Sequence, residues 1–198
     1  MSKSPTALFL IAIFLALSLA GCTGVRRVDN QVSSFAPQPI ALGSAYRFER
    51  LPSQETDAAA QAQLETMAEA ALANVGLQRD DKAANYTVLV TATQRAYSAA
   101  LDRPALGWNL GWMMGHGGMR LGNGPLFPGL EAPTQYWREV GLMVRNLHTQ
   151  TVVFETRATH DGPWSDSAAV LPAMLDAALQ GFPSPPAGPR QVNIDIPR

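Results

Sequence analysis

The only cysteine of this 198-residue chain, Cys22, stands directly after a long apolar run, and that placement constrains the rest of the molecule. Residues 7–20 read Ala-Leu-Phe-Leu-Ile-Ala-Ile-Phe-Leu-Ala-Leu-Ser-Leu-Ala, after a short segment whose one charged side chain is Lys3. A helix needs roughly 20 apolar residues to cross the hydrocarbon core, so the run is short for a permanent span. Its three-part layout is that of a secretory signal. Removal of residues 1–21 leaves residues 22–198, enough for one ordinary domain with a proper core. With Cys22 engaged, no thiol remains for a disulfide, a catalytic thiolate or a zinc–thiolate site. The fold must hold by its core alone.

Leu19, Ala20, Gly21 and Cys22 each match a position of the lipobox, and the segment resembles that of bacterial lipoproteins. The resemblance implies diacylation of the Cys22 thiol, cleavage between Gly21 and Cys22, and acylation of the new amine by a palmitate-type chain. One acyl chain binds a membrane marginally, whereas two or three hold a protein in place. Thr23 follows Cys22 where inner-membrane retention is associated with aspartate. By resemblance to that sorting pattern, the expected address is the periplasmic face of the Gram-negative outer membrane.

Four segments are expected: a signal peptide over 1–21, a lipidated tether over 22–40, a single α+β domain over 41–183 and a proline-rich tail over 184–198. The middle of the tether, residues 28–35, can pair as a first strand, and Arg26-Arg27 reads as a solvated pair that can touch lipid headgroups. Residues 45–51 alternate apolar and charged side chains, the period of a half-buried strand. Residues 56–75 then predict an amphipathic helix on Ala60, Leu64, Met67, Ala68, Ala71, Leu72 and Val75, stopped by Gly76 with Leu77 folding back. Glu65 and Glu69 lie off this apolar stripe and read as its wet face. Tyr86, Val88 and Val90 mark a β-branched strand. Residues 138–147 and 151–159 predict a hairpin, with Val140, Leu142 and Val144 facing Val152 and Phe154. A last helix is expected from Ser165 or Asp166 to Gln180, with Pro172 kinking its first turns or delaying its start. After Gly181-Phe182-Pro183, the alternation of Val192, Ile194 and Ile196 suits an edge strand or a docked tail.

This order resembles a bacterial lipoprotein family catalogued as domain of unknown function 4136. The residues that carry the resemblance are Ala45-Tyr46-Arg47-Phe48, Gly76-Leu77 before Asn85-Tyr86-Thr87-Val88, the strand pair 140–144 and 152–154, and Phe182-Pro183. The resemblance implies an α+β fold, a small antiparallel sheet with two helices packed on one face and a glycine-rich insert between central strands. It implies no activity.

The insert, residues 107–130, combines eight glycines with Trp108, Trp112, Met113, Met114, Met119, Leu121 and Phe127. So many glycines exclude a regular element, yet the aromatics and methionines are unfavourable to leave in water. Three readings follow: a connection partly folded back on the sheet, a loop binding a partner or lipid through Trp108, Trp112, Met113, Met114 and Phe127, or a soft-metal site. For the last, Met113, Met114, His116 and Met119 offer thioethers and an imidazole that suit Cu(I).

Signals for catalysis are sparse. His116-Gly117-Gly118 is similar to the oxyanion loop of some lipases, but the chain has no Gly-x-Ser-x-Gly elbow. His148 is expected in a turn, and His160-Asp161 at the end of a strand. No phosphate loop, dinucleotide fingerprint or paired-carboxylate cleft is present, so neither an enzyme nor a cofactor is expected. Without Lys3, fourteen basic side chains stand against sixteen acidic ones with no basic stripe, which argues against nucleic acid. The expected function is a non-catalytic binding or accessory module, held to the membrane by acyl chains on Cys22 and engaging an envelope protein. The alternative is a small-ligand or copper carrier using the Met/His loop.

Overall fold

The computed structural model describes residues 24–98 and 133–198. In chain order the elements are β1 (Val25–Phe35), β2 (Ala45–Phe48), α1 (Ala58–Asn74), β3 (Gln78–Arg79), β4 (Tyr86–Ser98), β5 (Thr134–Asn146), β6 (Val152–Gly162), α2 (Ser167–Leu179) and β7 (Arg190–Pro197). Among the described residues the strands make one seven-stranded sheet in the order β3-β2-β4-β5-β6-β1-β7. The fold is α+β, but the small antiparallel sheet expected from the sequence is wrong on both size and pairing. The sheet is mixed: β2 runs parallel to β3 and to β4, while the other neighbours are antiparallel. The reason is α1, which carries the chain from the end of β2 back towards its start, so that β4 sets out in the same direction. The size comes from the two ends of the described chain. Residues 25–35 lie between β6 and β7, and β7 pairs with β1 from Val25↔Pro197 to Val32↔Arg190.

Side-chain alternation divides the sheet into a dry face and a wet one. Val28 and Val32, Val88 and Val90, Val140, Leu142 and Val144, and Phe154 and Ala158 are buried. Thr91, Thr93, Arg95, Glu155 and Arg157 on the other face are exposed. Helices α1 and α2 touch one another and cover the dry face with Leu64, Ala68, Ala71 and Leu72 from α1 and Val170, Met174, Ala177 and Ala178 from α2. The hairpin register differs from the simple expectation. Val144 faces Phe154, but Leu142 faces Thr156, because one register holds from Tyr136 to Val144; the ladder slips only beyond Val144, where Val152 meets Arg145. The Thr156 hydroxyl donates to the Ala178 carbonyl at 2.8 Å, which satisfies a buried polar group against α2.

Helix ends follow local chemistry. Asp57 accepts from the Ala60 N–H at 3.1 Å, and Asp166 does the same for Ala169 at 3.2 Å. Gly76 has φ +86°, and its N–H reaches the Ala73 carbonyl while Leu77 donates to Leu72, the paired bonds of a glycine C-cap. Pro172 does not delay α2, which starts at Ser167 and continues past it to Leu179. Glu65 corrects the sequence reading more sharply. It is 4% exposed, and its carboxylate accepts two bonds from Arg50, at 2.6 and 2.7 Å. Glu69, by contrast, is on the surface and pairs with Arg79.

Candidate functional site

Strand parity sends one polar row into the dry face. Gln94 faces Arg138 across β4 and β5, Arg138 faces His160 across β5 and β6, and Asn30 lies on β1 beyond. Arg138 shares the parity of Val140, Leu142 and Val144, so the strand that buries the valines buries the arginine too. It is 0% exposed. Its Nη2 donates to the Trp164 carbonyl at 2.7 Å and to Ser167 Oγ at 3.1 Å, and its Nε donates to Ser167 Oγ at 3.2 Å. Its guanidinium carbon lies 5.3 Å from the Tyr136 ring centroid. Ser167 Oγ also bonds Gln94 Oε1, so one hydroxyl joins β4, β5 and the start of α2.

Among the described residues no carboxylate pairs with Arg138. Burial pushes its guanidinium below the ordinary value, against the opposing influence of Tyr136 and Asp166. Its Nη1 has no partner there either, nor do His160 Nε2, Asn30 Oδ1 and Arg26 Nε. Asn30 Nδ2 donates to the Val28 and Val192 carbonyls at 3.0 and 3.1 Å, and His160 Nδ1 bonds the Asp29 carbonyl at 2.8 Å. Arg26 lies over Trp164 at 5.4 Å and reaches Asp166 at 3.5 Å. The arrangement ties the β6–α2 corner to three strands. It places no nucleophile beside a base.

A groove of about 500 Å³ runs between the 3-10 turn Pro52–Asp57, α1, Thr91 to Thr93 of β4 and Leu171 of α2. Leu51, Leu64, Met67 and Leu171 supply apolar wall, and Gln54 and Gln61 supply amides. Both amides already donate to the Val90 carbonyl, at 2.8 and 3.3 Å. Asp57 is occupied as the α1 cap. The groove therefore mixes apolar wall with Ser53, Gln63, Thr91 and Thr93, while Gln54, Gln61 and Asp57 are already engaged.

The sequence-predicted site residues meet the structure unevenly. Gly21, Cys22, Trp108, Trp112, Met113, Met114, His116, Met119 and Phe127 lie outside the described residues. His148 is in the β5–β6 turn. His160 and Asp161 point to opposite faces: His160 is buried at 4% exposure, whereas Asp161 accepts from the Tyr97 hydroxyl on the wet face. As neighbours on a strand they cannot act as a pair. Arg26 and Arg27 also part company, Arg26 packing on Trp164 and Arg27 pairing with Asp195 at 3.0 Å. Among the described residues, no group of three or more His, Cys, Asp and Glu side chains is placed to hold a metal ion. The polar row itself escaped sequence reasoning, although the even spacing from Arg138 to Val144 was the signal for it.

Residues 33–184 match the family described as Domain of unknown function (DUF4136). The chain belongs to this family. The match ends before β7 and begins part-way along β1, so this DUF4136 domain has one edge strand beyond the matched residues. No curated protein matches the sequence. Among solved structures, the chain is similar to a PelC dodecamer from Paraburkholderia phytofirmans, at 13% identity, over 79% of this chain and 99% of that one, with a TM-score of 0.48. It is also similar to a PDZ domain protein from Parabacteroides distasonis, at 12% identity and a TM-score of 0.47, over 94% of this chain and 42% of that one. Both likenesses are too slight to carry a conclusion about this DUF4136 protein.

Proposed function

We propose that this DUF4136 protein is a lipid-anchored lipoprotein on the periplasmic face of the outer membrane, working as a non-catalytic binding or accessory module of the cell envelope. The observation that carries the reading is the Leu19-Ala20-Gly21-Cys22 motif built on the chain's sole cysteine. The architecture supports an accessory role. Its buried Arg138 and Thr156 connect strand to helix, its groove mixes apolar wall with the engaged amides of Gln54 and Gln61, and its wet sheet face offers a broad surface to a partner protein.

The test is metabolic labelling with an alkyne-bearing palmitate analogue, followed by mass analysis of the N-terminal peptide and separation of inner from outer membranes. Acylation at Cys22 with outer-membrane recovery is expected, together with loss of label and release from the membrane in Cys22→Ala. An unacylated Cys22, or label that survives Cys22→Ala, would overturn the proposal.

A further inference from the structure

We infer that the end of the sheet where β1 begins is apposed to the zwitterionic phospholipid headgroups of the membrane that holds the anchor, with the β5–β6 turn pointing away from it. The inference rests on acylation of Cys22. Gly24, paired with Arg198 through a 2.9 Å backbone bond, is already part of the described fold, and β1 starts at Val25. Only Thr23 separates Cys22 from Gly24, so the two Cα atoms are at most about 7 Å apart. A tether this short cannot hold the domain off the bilayer. Whatever shares the level of Gly24 meets the interface.

The strand registers identify those residues. Val25 pairs with Pro197, Ser98 with Thr134, and Tyr136 with Gly162, so β1 and β5 begin where β4, β6 and β7 end. The insert between Ser98 and Thr134 is therefore rooted at this end. Both described tryptophans are here: Trp164 just beyond β6, and Trp137 three residues into β5. Tyr97 and Tyr136 accompany them, and Val25 is 58% exposed. Arg26 lies over Trp164 and Arg95 over Trp137, at 5.4 and 5.5 Å. Tryptophan and tyrosine favour the headgroup level, where an apolar ring and a polar edge are both satisfied, and arginine stems bury along apolar surface with the charge in water. The far end carries Phe35, Tyr86 and the polar turn through His148 and Thr149, but no tryptophan among the described residues.

Charge selects the kind of lipid. Arg26 pairs with Asp166 and Arg27 with Asp195, while Arg95 and Arg198 at this end stand against Asp29 and Asp161. With these four arginines balanced by four aspartates, and Arg138 buried, the end has no strong claim on anionic lipid. Aromatic partition holds it to a zwitterionic surface, and salt should not release it.

The experiment uses the mature acylated chain in phosphatidylethanolamine vesicles carrying a minor share of headgroup-quencher lipid. An environment-sensitive fluorophore is placed on Thr134→Cys and, separately, on His148→Cys, both exposed positions at opposite ends of β5. The 13 residues of β5 separate the two ends by about 40 Å. Strong quenching at position 134, at least threefold above that at 148 and unchanged in raised salt, is expected. Equal or reversed quenching, or loss of the difference in salt, would overturn the inference. The mass of the N-terminal peptide from the same vesicles separates the two failures: no acyl chain means that the anchor proposal has failed, whereas an acylated chain with the wrong quenching pattern means that only the orientation has.

Discussion

The Arg50–Glu65 pair allows a quantitative test of how the α1 face is held. Replacing Glu65 with Gln keeps its shape and its neighbour Gln61, whose Nε2 lies 3.3 Å from Glu65 Oε1, but removes the charge that receives both Arg50 donors. Exposed ion pairs contribute about 0–1 kcal/mol, and breaking a fully buried one costs about 3–5 kcal/mol. Here the Glu65 side chain is 6% exposed and the Arg50 side chain 28%, so one partner is dry and the other can still recruit water. A coupling energy of about 2 kcal/mol is expected, from two charge-assisted bonds partly replaced by solvent. Urea unfolding of Glu65→Gln, Arg50→Met and the double variant gives that coupling as a cycle. The single Glu65→Gln change should lower Tm by roughly 4–8 °C, at about 2–4 °C per kcal/mol for a domain of this size. The pH dependence must agree. The Arg50 hydrogen bonds hold the Glu65 carboxyl below its ordinary value of 4.5, outweighing burial. A depressed carboxyl contributes stability that is present above that value and is lost as the pH falls through the folded pKa, so wild type and Glu65→Gln should converge in acid. A coupling below about 0.5 kcal/mol, or a gap that persists at low pH, would refute the reasoning.

Three other substitutions probe the framework. Gly76→Ala should lose about 1–2 kcal/mol, because φ is +86° while the nearest side chain, Leu42, leaves ordinary van der Waals room; the denaturation midpoint reads it. Leu72→Ala, at a fully buried position, should lose about 2–5 kcal/mol by the same measurement, with the m-value unchanged. Arg138→Met should stay within about 1 kcal/mol of wild type or exceed it, because a buried cation without a carboxylate is exchanged for an apolar side chain of similar length, whereas Arg138→Ala adds a cavity and should fall about 2 kcal/mol or more below it. A large loss in Arg138→Met would mean that the bonds to Trp164 and Ser167 outweigh desolvation.

Much of the secondary structure was legible because its causes are local. The α1 stripe, the glycine stop at Gly76 and the Val88–Val90 alternation all rest on side chains within a few residues of one another. Glu65 was misread because the partner that satisfies it, Arg50, lies outside the helix and donates two bonds to its carboxylate. The hairpin partners were misaligned because register is a property of two strands at once: Leu142 meets Thr156, and a slip beyond Val144 brings Val152 to Arg145. Arg138 was open to parity, but its partners arrive from the β6–α2 corner.

By itself the sequence determined most of the local units, the two helices with their caps and the central strands, and that a single cysteine follows an apolar run. Local periodicity and capping suffice for that, since they depend on neighbours along the chain. Only the tertiary structure decided the mixed sheet, the enrolment of residues 25–35 and 190–197 as paired strands, and the gathering of Trp137, Trp164 and Arg26 at one end with Gly24. Those outcomes depend on strand direction and order, which are fixed by how the α1 crossover and the edge strands bury one shared face.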